Sequence, residues 1–248
     1  MKTTFILIFC FLSLKLYALD SERIKEYYTA NLPPALSVPV DYKKLKVSNQ
    51  SQFTSALRSI NAQEKIAILI EPGNYQVVET VLINSNNIML IGLGQSPYET
   101  QLIGKGMISS STVDNMFRVN ADHFFMSNLL LKNVGNHLVQ IAGELSSSFH
   151  HFQRVVFQDA YEQLLKVSGD KNNREKFSQK SVVEYCVFEY TDGVGPNFYI
   201  GGIDAHVSRQ WLIQDNIFNN IYPTSEKYCN EWKQLNQIMI KQASSKNN

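Results

Sequence analysis

Several signals that mark common enzyme and binding classes are missing from this 248-residue chain. No Ser nucleophile elbow, phosphate loop or CxxC pair occurs. His123, His137, His150 and His151 do not have the spacing of a zinc site. The net charge is only +1, with no basic cluster interleaved with aromatics, which argues against nucleic acid as a partner. Beyond the N-terminal run no apolar stretch is long enough to span a bilayer. Cysteine is scarce: Cys10 lies in that N-terminal run, which leaves Cys186 and Cys229. What the chain does have is 44% hydrophobic against 18% charged residues, enough for one continuous core, and it is read as a single-domain monomer.

Four segments align without a gap: Met126 to Val134, Phe152 to Ala160, Val183 to Thr191 and Ile213 to Ile221. The first position is always apolar, and the sixth is always large and apolar (Leu131, Phe157, Phe188, Phe218). The eighth is Asn133, Asp159 and Asn220 in three of them, residues that tolerate left-handed turns. A unit recurring at roughly 22 to 36 residues is the mark of a solenoid. Its apolar runs are short, rich in Val, Ile and Phe, and free of a 3.6-residue stripe, so they read as strands. The expected fold is all-β: a right-handed parallel β-helix of five to seven coils with an N-terminal cap helix. Cys186 shares its column with Leu129 and Val155, so a buried free thiol is expected there.

Around that core the chain divides simply. Residues 1–18 have the basic start, apolar run and Ala18 of a secretory signal, which predicts a secreted or periplasmic protein. Residues 19–46, with Pro33, Pro34 and Pro39, read as an irregular lead-in, and 47–221 as the β-helix. Ser51 is placed to cap a helix that turns Phe53, Ala56, Leu57 and Ile60 to one side and covers the open end. Residues 222–248 read as a tail or a second cap helix, with Tyr228, Trp232, Leu235 and Met239 on one face.

The order of helix, strand, Pro72-Gly73-Asn74-Tyr75 and strand, followed by Asn87 to Ile91 and the four rows, resembles the pectate lyase-like superfamily. The nearer likeness is to its chondroitinase-B-like and alginate lyase branch, over about two thirds of the chain. The resemblance implies an exported protein acting on a polysaccharide, with a uronate lyase as one expectation. A glycan-binding module without chemistry and a truncated, inactive β-helix are the alternatives.

A uronate lyase needs a group to neutralise the substrate carboxylate, a base for the adjacent proton and an acid for the leaving oxygen. The strand before each row supplies an outward stripe. On it Lys166 is the candidate base, Arg118 the carboxylate partner and His206 the acid beside Asp204. Asn120, Gln140 and Ser168 share the stripe as candidate sugar contacts. A separate column, Asp122, Glu144 and Asp170, is the candidate calcium site, since calcium takes six to eight oxygen ligands.

Overall fold

The computed structural model describes residues 21–60, 64–173 and 175–224. The leader, Cys10, Cys229 and the apolar face from Tyr228 to Met239 lie outside them.

Parallel pairing sets Phe152 opposite both Met126 and Val183, and Val183 opposite Ile213, so the gapless alignment is the hydrogen-bonded register itself. One ladder climbs through seven parallel strands: Lys43–Val47, Ile66–Ile70, Ile88–Gly92, Phe124–Val134, His151–Ala160, Val182–Glu184 and Leu212–Gln214. A second ladder has five: Val81–Ile83, Phe117–Val119, Val139–Ala142, Gln163–Ser168 and Gly201–Ala205. These are the rungs of a right-handed parallel β-helix, the fold expected from the rows.

Backbone conformation explains how a coil closes. Three columns of residues have left-handed φ: Asn87, His123, Phe149, Lys180 and Gln210 before each row, Asn128, Arg154, Tyr185 and Asp215 at its third position, and Asn133, Asp159 and Asn220 at its eighth. Each column is a corner, so a coil bends three times. The eighth-position turns were legible from their Asn and Asp. The other two columns were not, because Arg, Tyr, Phe, Lys and Gln also adopt this costly conformation once the neighbouring coils impose it.

The core is a set of stacks running along the helix axis. Tyr75, Leu102, Leu131, Phe157, Phe188 and Phe218 are successive partners in one column. Phe157 and Phe188 are parallel with ring centroids 4.7 Å apart, and Phe188 and Phe218 follow at 5.0 Å. A large apolar residue at this position in all four rows predicts a column buried throughout. Phe218 is instead 51% exposed, because it lies on the last described coil and nothing described covers it. Cys186 is a buried free thiol, and burial pushes its pKa up to about 12.

The lead-in departs from expectation. Ser21–Ala30 is a helix (α1) whose Ile24 and Tyr28 pack on Leu130, Val156 and Val187, an outward-facing apolar column of the first ladder. The Tyr28 hydroxyl donates to the Tyr185 carbonyl, and the Arg154 guanidinium donates to the carbonyls of Pro33 and Gln95 at 2.9 and 2.8 Å. Lys43–Val47 is already the first strand, paired with Ile66–Ile70. Its lysines conceal the strand pattern, and they suit a strand that must resist further pairing at the edge. The second helix, Gln50–Ser59 (α2), does cover this end, burying Phe53 and Ala56. Its cap is Asn49, not Ser51: the Asn49 side chain accepts from the Gln52 amide at 3.0 Å.

Candidate functional site

The second ladder carries the polar stripe. Its pairing sets Leu82, Arg118, Gln140, Lys166 and Asp204 in one outward column, with Val119, Ile141, Val167 and Ala205 in the neighbouring column. Sequence alternation had placed these correctly, including the fourth strand. Two clusters form on the stripe, each around one cation.

In the first, Lys166 donates to an Asp204 carboxylate oxygen and, at 3.0 Å, to the Tyr199 hydroxyl. Tyr199 in turn donates to Asp204 at 3.2 Å, and His206 Nε2 lies 3.2 Å from the other oxygen of Asp204. The Tyr199 ring also sits over the ammonium, 5.2 Å from centroid to Nζ, so Lys166 is only 8% exposed. Burial pulls the Lys166 pKa down, but the hydrogen bonds and charge of Asp204 and Tyr199 outweigh it, and the ammonium is held above its ordinary value. A lysine so held is a cation, and it is a poor proton acceptor.

In the second cluster, Arg118 pairs with Glu144 through Nη2, donates to Ser168 Oγ at 3.3 Å through Nη1, and donates to Asn120 Oδ1 at 3.2 Å through Nε. Ser168 Oγ donates to the other Glu144 oxygen at 2.6 Å. Burial works against the Glu144 charge, yet the bonds from Ser168 and Arg118 prevail and keep its carboxyl below the usual range. Asn120 Nδ2 donates to Asn84 at 2.7 Å, and Gln140 accepts from Asn115 at 3.1 Å. Thus Arg118, Asn120 and Ser168 come together, as do Lys166, Asp204 and His206.

The carboxylate column does not come together. Glu144 is bonded to Arg118, Asp122 accepts from the Ser148 amide at 2.8 Å, and Asp170 closes its own turn with the Asn172 amide at 2.8 Å. Among the described residues no three His, Cys, Asp or Glu side chains converge as metal ligands. Coil spacing had suggested a stack, but the three side chains are drawn to different partners.

No family model matches this chain, and no curated protein matches it. Among solved structures, it is similar to the pectin methylesterase of Erwinia chrysanthemi, with a TM-score of 0.46 at 19% identity over 66% of this chain and 53% of that one. A pectin methylesterase variant in complex with a hexasaccharide gives 0.47 at 16% identity, over 71% and 55%. The third is an open reading frame of Geobacillus virus E2, at 0.42 and 13% identity, over 69% and 41%. The chain spans about half the length of the two pectin methylesterases.

Two features beside the stripe escaped sequence reasoning. Tyr199 lies on the loop between the third and fourth rows, and no periodicity pointed to it. The other is a buried polar column at the start of the second ladder, where Asn115 accepts from the His137 amide at 3.2 Å and His137 Nδ1 bonds the Gln163 carbonyl at 2.9 Å. Burial lowers the His137 pKa to about 4. His150, at the next corner, is pushed by burial to about 3; its Nε2 meets Ser147 Oγ at 3.1 Å and its Nδ1 accepts from the Phe124 amide at 3.3 Å. Both histidines are therefore structural and neutral.

Acid should weaken the fold through this pair. A folded pKa below the unfolded value of 6.5 means that the stabilisation is complete above pH 6.5 and is lost as pH falls toward about 4 and about 3. Each histidine contributes a slope of about 1.4 kcal/mol per pH unit in that window. Urea midpoints across the window should show the slope, and His150→Gln, which takes up no proton, should flatten it. An unchanged slope would remove His150 from the account.

Proposed function

We propose that this is an exported β-helix protein that holds an extended polysaccharide along the stripe of its second ladder, as a binding module. The observation that carries the reading is the in-register column Arg118, Gln140, Lys166 and Asp204 across four coils. Coils about 4.8 Å apart present polar groups at a repeat that an extended chain of sugars can follow. The leader pattern at residues 1–18 supports export, and no helix among the described residues is long and apolar enough to cross a membrane. A lyase on the same stripe would need an unprotonated base, and the environment of Lys166 opposes that.

Lys166→Ala tests the reading, because Lys166 holds both Tyr199 and Asp204 in place on the stripe. Gel retardation by a panel of polysaccharides and absorbance of the unsaturated product should be followed together. Retardation without absorbance growth, weakened about tenfold or more by the substitution, is the expected result. Absorbance growth that the substitution abolishes would establish the lyase instead.

A further inference from the structure

We propose that the polysaccharide taken by this stripe is uncharged, and that the stripe excludes polyuronates. The inference rests on the binding reading above and specifies its ligand. Arg118 and Lys166 stand in the two clusters, each already matched by a carboxylate of the chain itself, and the remaining basic side chain, His206, also lies against one, with Nε2 3.2 Å from Asp204. Arg118 has all three kinds of nitrogen bonded, Nη2 to Glu144, Nη1 to Ser168 and Nε to Asn120. Lys166 is bonded to Asp204 and Tyr199 and is roofed by the Tyr199 ring.

A polymer carboxylate reaching either cation would have to displace Glu144 or Asp204 and then remain beside the displaced charge. One attraction would be exchanged for another, and a repulsion added. Glu162 is close enough to feel the charges of both Lys166 and Asp114, which adds negative charge on that side. The stripe therefore has no cation to offer.

What it does offer is neutral. Asn120 and Gln140 each combine donor and acceptor capacity, and their side-chain amides have four hydrogen-bonding positions each, more than their intramolecular bonds occupy. Such groups match sugar hydroxyls, which also both donate and accept. Tyr199, 42% exposed as a residue, adds the apolar surface of its ring for the face of a sugar.

The test compares polymers that differ in charge on a shared backbone, hydroxyethylcellulose against carboxymethylcellulose, with galactomannan, polygalacturonate and alginate alongside. Affinity electrophoresis of the full chain is run at low and high salt. The wild type should be retarded by a neutral polymer at least about tenfold more strongly than by any carboxylated one, with no salt dependence. Gln140→Ala should weaken that retention. Glu144→Gln, checked for native circular dichroism, releases Arg118 and should gain retention in a carboxylated polymer that high salt abolishes. Salt-sensitive retention of the wild type by polyuronates overturns the inference and leaves the binding reading standing. A folded Glu144→Gln that gains nothing overturns the inference too, since internal pairing would then not be what excludes the charge. Absence of retention with every polymer overturns both.

Discussion

Phe188→Ala should lower the stability of the protein by about 3 to 5 kcal/mol, read as a drop in melting temperature or urea midpoint. Phe188 is fully buried between Phe157 and Phe218, with nearly parallel rings 4.7 and 5.0 Å away. Truncation leaves a ring-sized void that the coils above and below are slow to close, because each is pinned by its own ladder bonds. Phe218→Ala is the internal control. The same side chain in the same column is half exposed, so it loses less transfer energy and opens no cavity on its far side. Equal losses at the two positions would show that the column is not what holds the coils together.

Gly92→Ala is the second large effect, and its cause is different. A Cβ at Gly92 would stand 2.0 Å from the backbone oxygen of Asn128. Asn128 is held there by its own left-handed turn and by bonds from Nδ2 to the carbonyls of Gly92 and Gly94, at 3.0 and 2.6 Å. Neither backbone can yield without breaking the corner, so the cost should be about 3 kcal/mol, at the upper end for overpacking. Gly193→Ala separates crowding from conformational strain. Gly193 has φ of +82° with nothing within 4 Å of its missing Cβ, and it should lose only about 1 to 2 kcal/mol. Chemical denaturation of both variants measures the difference. A Gly92→Ala protein as stable as the wild type would mean that the coils at this corner slide past each other freely.

Asn120, Gln140, Lys166 and Asp204 were placed on one face by alternation alone, because a strand turns every second side chain outward whatever surrounds it. Of the three columns of left-handed turns, only the one at the eighth position was visible. Asn133 and Asp159 announce a left-handed corner by their chemistry, whereas Arg154 and Tyr185 take the same backbone conformation at a different corner because the flanking coils fix it. Helix α1 was hidden for a similar reason. Its two buried residues, Ile24 and Tyr28, make too sparse a stripe to read, and become meaningful only against the outward column of Leu130, Val156 and Val187.

By itself the sequence determined the fold, the register of the four rows and the membership of the stripe, since all three follow from periodicity and repeat locally. Tertiary structure alone decided what the stripe's charges do. Lys166 meets Tyr199 from a loop 33 residues further on, and Arg118 meets Glu144 26 residues away across a corner. Pairing of charges depends on distances of a few ångströms between side chains, and a pattern of residue types along a chain contains the directions of those side chains but not their reach.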